Sequence, residues 1–197
     1  MKLYERLPHG VTVNGHFYRM DFDFRNVLRM MDVLARQDLL PEAMDYLALK
    51  CVMRRPRGDL RALMNAARET LFGGQKNIDE NPQKLTDFTQ DADLIRAAFW
   101  QTYKINLWRD KLHWLAFSAL LSGIPEGTRY SDIIGIRARP MPAPTNWNSE
   151  ERAALAKAKA RYAVEMTAEE QENSYQSGLR AMAAGLLAMA KGGGKGA

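Results

Sequence analysis

Pro140, Pro142 and Pro144 stand at alternate positions, and they are the strongest local constraint in this 197-residue chain. Proline has no amide hydrogen and pushes the residue before it into extended backbone, so no helix can run through 139–144. The spacing predicts a stiff spacer that divides the chain into four parts: a domain over 1–139, a proline-rich linker over 140–148, a helical arm over 149–191 and a flexible glycine-rich tail over 192–197. A first part of about 140 residues is an ordinary domain size. With 46% hydrophobic and 26% charged residues, the chain has the make-up of a globular protein rather than a disordered one.

Within 1–139 the hydrophobic period is mostly helical. The exception is Asn14-Gly15, which lies between short runs of β-forming residues and suits the two positive φ angles of a type I′ hairpin turn. A two-stranded ribbon is marginal alone and must lie on another element. After Asp23, a candidate N-cap, Val27, Leu28, Met31, Leu34 and Ala35 form an apolar stripe. Pro41 suits the first turn of a second helix with Ala43, Met44, Leu47, Ala48 and Cys51 on its stripe. A third helix carries Leu60, Leu63, Met64, Ala67 and Leu71 and stops at Gly73-Gly74. A polar loop follows over 75–86, then a helix from Asp87 to about Tyr103. The stretch 107–121, apolar nearly all round, reads as the central helix, and Ser131 and Asp132 as caps of a short helix after it. The fold class is therefore mainly α, a helical domain with a small N-terminal β-hairpin.

Few residues suggest chemistry. The single cysteine, Cys51, excludes an intrachain disulfide and reads as a small buried hydrophobe. His9 and His16 lie on either side of the ribbon turn without ligand-spaced partners and read as surface histidines, whereas His113 reads as a hydrogen-bonded structural histidine. Asp91 and Asp93, two apart, point to different sides of a helix. The tail Gly192-Gly193-Gly194-Lys195 lacks the hydroxyl and the helix that a phosphate loop requires. No catalytic group, metal site or cofactor is expected. The N-terminal residues lack a signal-peptide apolar stretch, and the longest apolar run, 181–190, is too short to cross a membrane, so a soluble cytoplasmic protein is expected.

The net charge of +5 is thinly spread except for Lys50, Arg54, Arg55, Arg57, Arg61 and Arg68. That cluster is either a patch for phosphates or an acidic partner, or a solvated helix face. The second reading is favoured, and nucleic acid disfavoured, because no aromatic interleaving or binding motif accompanies it. The arm carries Leu179, Met182, Leu186 and Met189 at helical spacing. Such a stripe either docks in a partner's groove or folds back on its own domain.

The order of several segments resembles the bacteriophage gene-product-fifteen proteins of phage and prophage tail operons. The residues that carry it are Val13-Asn14-Gly15 with Tyr18, Asp23-Phe24-Arg25, Gln90-Asp91-Ala92-Asp93-Leu94-Ile95, Tyr103-Lys104-Ile105-Asn106-Leu107, Leu112-His113-Trp114 and Gly123-Ile124-Pro125-Glu126-Gly127. The resemblance spans roughly residues 7–165. It implies a non-catalytic tail morphogenesis protein in the host cytoplasm, similar in gene position to lambda-type tail assembly chaperones, with the tape-measure protein or other tail proteins as partners and homo-oligomers possible. The alternative is a structural tail or connector component retained in the virion. Lambda-type chaperones are often made in two lengths by ribosomal slippage at codons that can read Gly-Lys, as at Gly194-Lys195, so a longer form stands beside the simpler reading of a flexible end.

Overall fold

Asn14 and Gly15 take φ angles of 50° and 78°, the left-handed pair that lets a two-residue turn join twisted strands. The strands β1 (Gly10–Val13) and β2 (His16–Arg19) pair antiparallel about that turn, Val13 opposite His16 and Gly10 opposite Arg19. Gly10 is needed for close approach. A Cβ there would come within 2.7 Å of Phe17 Cζ and closer still to the carbonyl oxygen of Tyr18. The structure, a computed structural model, describes residues 4–73 and 84–165. The second helical stretch of the arm from residue 168 and the 192–197 tail lie outside the described residues.

The described chain is mainly α, with α1 (Phe24–Leu34), α2 (Pro41–Val52), α3 (Leu60–Phe72), α4 (Ala92–Tyr103), α5 (Trp114–Ser122), α6 (Arg129–Ala138) and α7 (Ser149–Arg161). It groups into two compact units, one of residues 4–73 and 91–133, the other of residues 84–90 and 134–165. The expected 1–139 domain therefore differs from the observed grouping. The segment before α4 belongs with the C-terminal residues, and α6 crosses from one unit to the other.

In the first unit β1 lies on α3, α1 packs on α2 and α2 on α3, which gives the ribbon the support it requires. The core holds Phe22, Val27, Met30, Leu49, Val52, Leu63, Met64, Phe99 and Phe117. Phe117 is its centre: its ring stacks on Phe24 at 4.7 Å and on Phe99 at 5.2 Å, and tilts against Trp114 at 5.7 Å. Offset stacking of this kind adds to the burial of apolar area.

Four expected details are corrected. The buried stripe of α2 is Asp45, Ala48, Leu49 and Val52, one residue on from the apolar series, because Arg61 neutralises Asp45 and lets a carboxylate occupy a core position. The helix expected from Asp87 begins at Ala92, since the Asp87 carboxylate accepts the amides of Thr89 and Gln90, both at 2.8 Å, and closes a turn instead. The helix expected over 107–121 begins at Trp114. Asn106 and Asp110 take up the backbone before it: Asn106 Oδ1 accepts the Trp108 amide at 3.0 Å and Asp110 Oδ2 accepts the Asn106 amide at 2.9 Å. Ser131 is not the cap of α6 but its partner, for Thr128 Oγ1 accepts the Ser131 amide while Ser131 Oγ accepts the Thr128 amide.

In the second unit residues 140–145 form neither helix nor strand, and the segment is tied down along its length. Asn148 donates to Ala143 O and accepts from the Thr145 amide, Arg152 donates to Pro142 O, and Arg139 pairs with Glu151 at 3.3 Å. Arg137, 5% exposed, donates to the carbonyls of Tyr162 and Leu85, and Lys159 Nζ donates to Arg137 O. Residues 140–148 thus form a strap within this unit rather than a free spacer.

Candidate functional site

Beyond Arg19 the chain stays extended until α1. Asp21 N–H donates to Val52 O at 2.7 Å, Trp114 N–H to Phe22 O at 2.8 Å and Phe24 N–H to Leu112 O at 2.9 Å. Asp23 and His113 face each other across this short antiparallel bridge, and each caps a helix. Asp23 Oδ1 accepts the Arg25 amide, and its carboxylate takes Arg25 Nε and Nη2 at 2.8 and 2.9 Å. Burial alone raises the pKa of Asp23, but the hydrogen bonds and charge of Arg25 outweigh it and hold the carboxyl below its ordinary value. His113 Nε2–H donates to Pro8 O at 2.8 Å and Nδ1 accepts the Leu115 amide at 3.1 Å, an assignment that follows from the two partners. It is a hydrogen-bonded structural histidine, as the sequence leads one to expect.

A groove of about 660 Å³ opens beside this knot. Its charged lining is Arg19 from β2, Arg54 just past α2 and Lys111 from the turn before α5, with Asp21 and the Arg25-bound Asp23; Leu7, Met20, Val52, Met53 and Leu112 supply apolar surface. The three cations make no ion pair or hydrogen bond among the described residues.

The expected basic cluster divides on inspection. Arg54, Arg55, Arg57 and Arg68 are exposed and unpaired among the described residues. Lys50 is exposed and lies over the Tyr46 ring at 5.9 Å, whereas Arg61 is bound to Asp45 at 2.9 Å. Only Arg54 reaches the groove. His9 and His16 are exposed but not brought together: His16 follows the turn, while His9 pairs with Met20 at the open end of the ribbon and sets its ring 5.2 Å from Phe17. Burial pushes the Cys51 thiol up, and its Sγ lies 3.5 Å from Leu47 O. Asp91 is buried and Asp93 exposed, as their spacing requires. Leu179, Met182, Leu186 and Met189 lie outside the described residues. Among the described residues no group of three metal-ligating side chains gathers, and no helix is long and apolar enough to cross a membrane.

A second surface had no place in the sequence expectations. Trp100 on α4 is 55% exposed and Trp108 70% exposed. Arg96 stands between them, one helical turn before Trp100 and with its guanidinium 5.0 Å from the Trp108 ring centroid. Each arginine here has its own carboxylate: Arg96 with Asp93, Arg109 with Asp110, and Arg25, which also donates to Trp108 O, with Asp23. The only advance signal was Asn106 and Asp110 around Trp108, two residue types that favour turns over helix.

A search among curated proteins returned no match, and neither did one among solved structures. The profile of one family, described as Bacteriophage Gp15 protein, matches residues 3–164, and these include the ribbon, all seven described helices, the groove and the tryptophan surface. The chain belongs to the bacteriophage Gp15 protein family.

Proposed function

We propose that this phage protein is a non-catalytic tail morphogenesis protein, an assembly chaperone that holds the tape-measure protein until the tail tube polymerises around it. A tape measure is a long helix whose apolar stripe would aggregate in water, and many copies of a small helical protein can cover it and later be displaced. The observation that supports this reading is the pair of exposed tryptophans flanking Arg96. Trp and Arg dominate the energetics of protein interfaces, and a surface whose arginines are already matched by aspartates suits a protein partner better than a phosphate backbone. The engagement of both His113 ring nitrogens agrees with a binding role rather than acid–base chemistry.

Co-expression with the tape-measure protein of the same phage tests the proposal. The chaperone reading expects the tape measure to become soluble and to co-purify, Trp100→Ala with Trp108→Ala to abolish this, and purified virions to lack the chain by mass spectrometry. Stoichiometric retention in the virion would replace the reading with that of a structural tail or connector component.

A further inference from the structure

We propose that the groove beside β2 docks an extended, carboxylate-bearing segment of a partner protein, which adds as a strand to the outer edge of β2. Two independent observations meet here. The first is the backbone. Met20 N–H donates to His9 O across the ribbon, so in this register Tyr18 and Val11 form the next hydrogen-bonded pair, and Phe17 and Arg19 turn their amides and carbonyls away from β1. Asp21, next in that outward set, donates to Val52 O. The outer edge is thus occupied at Asp21 and open at Phe17 and Arg19, whose backbone groups have no partner among the described residues. An open edge is a template for strand addition.

The second observation is charge. Arg19, Arg54 and Lys111 come from three separate stretches of chain and line one groove without an ion pair. Of the two lining carboxylates, Asp23 is already neutralised by Arg25, and Asp21 accepts the Asp23 amide at 3.2 Å. Beneath the rim lie Met20 and Val52, 3% and 1% exposed. Side chains alternate along a strand, so a segment with acidic and apolar residues in alternation places carboxylates against the cations and apolar groups against the floor. Phe17 on this edge is 55% exposed, so an aromatic ring is at hand, but the open backbone groups of β2 can be paired by a peptide strand and not by a nucleic acid, which favours a protein segment.

The inference stands apart from the tape-measure proposal, because it is tested on the isolated full chain with synthetic ligands and fails or succeeds without that partner. The probe is the peptide Glu-Val-Glu-Val-Glu-Val-Glu-Val, compared with the same peptide N-methylated at alternate residues, with Lys-Val-Lys-Val-Lys-Val-Lys-Val, and with oligo-dT. The expected result is saturable binding of the first peptide with amide shifts at Phe17 and Arg19, loss of binding on N-methylation, and no binding of the lysine peptide. Arg54→Glu with Lys111→Glu, both at exposed positions, is expected to weaken binding about tenfold or more. Phe17→Pro, which removes an outward amide without a ladder bond to β1, is expected to do the same. Circular dichroism reports whether each variant folds, and the peptide comparisons on the parent chain decide the matter if one does not. Absence of binding, indifference to N-methylation, equal binding of the lysine peptide, or displacement of the peptide by oligo-dT would each overturn the inference.

Discussion

Asp23 is the residue on which most of the local architecture of the first unit converges, and its removal gives a quantitative test. Its carboxylate caps α1 and forms a two-pronged pair with Arg25, with the Asp23 side chain 9% exposed and that of Arg25 32% exposed. Loss of an Asp N-cap costs about 1 kcal/mol. A forked Arg–carboxylate pair with one partner this sheltered contributes about another 1 kcal/mol, the upper end of the range of freely exposed pairs. Asp23→Ala should therefore destabilise the protein by about 2 kcal/mol, which for a chain of this size lowers Tm by about 4–8 °C. Asp23→Asn keeps a cap acceptor and should cost about half as much. Urea unfolding of both variants with Arg25→Met and the double variants isolates the pair, with a coupling of about 1 kcal/mol expected. The pH dependence has a fixed sign. The folded carboxyl titrates below its ordinary value, so its contribution is present in full above the unfolded pKa of about 3.9 and is lost as pH falls through the folded value. The gap between parent and Asp23→Asn should accordingly be constant near neutrality and close in acid. A cost below about 0.5 kcal/mol for Asp23→Ala, or a gap that widens in acid, would refute the reasoning.

Two further outcomes follow from packing. Phe117→Ala empties the middle of the Phe24–Phe117–Phe99 stack, and a loss of about 3–5 kcal/mol by urea unfolding is expected, with Phe117→Leu retaining roughly half of it. Gly10→Val drives a side chain into the Tyr18 carbonyl and the Phe17 ring, so the cross-strand amide signals of the ribbon should disappear while helical circular dichroism persists.

What could be read in the sequence was whatever local chemistry decides alone. Asn14-Gly15, Asp23 and Pro41 each do in the fold what their residue type favours, because a turn, a cap and a first helical turn need no distant partner. Misreadings arose where a side chain competed with the helix for backbone groups. Asp87 drew two amides into a turn, and Asn106 with Asp110 held the chain out of helix where apolar residues continued the pattern. Hydrophobicity also misplaced the buried face of α2, since Asp45 enters the core only because Arg61, sixteen positions on, neutralises it. The groove was illegible for a similar reason: Arg19, Arg54 and Lys111 are far apart in the chain, and only the extended passage from Arg19 to Phe24, held by Val52, Leu112 and Trp114, brings them to one place.

Charge shows most clearly what counting residues misses. A sum of +5 treats every arginine alike, and runs of neighbouring cations then look like the site. In the folded chain Arg25, Arg61, Arg96 and Arg109 each hold a carboxylate, so their charge is largely spent within the molecule. Arg19, Arg54, Arg55, Arg57, Arg68 and Lys111 hold none among the described residues. That second set contributes to the field felt by an approaching partner, and two of its members, Arg19 and Lys111, lie outside the run from Lys50 to Arg68. The matched arginines serve a different purpose. Beside Trp100 and Trp108, Arg25, Arg96 and Arg109 present planar, already satisfied guanidinium groups, which the proposed partner would cover without leaving a bare charge behind. Under the two proposals the surfaces select by different physics: the groove through long-range attraction that salt weakens, the tryptophan face through apolar contact that salt leaves intact.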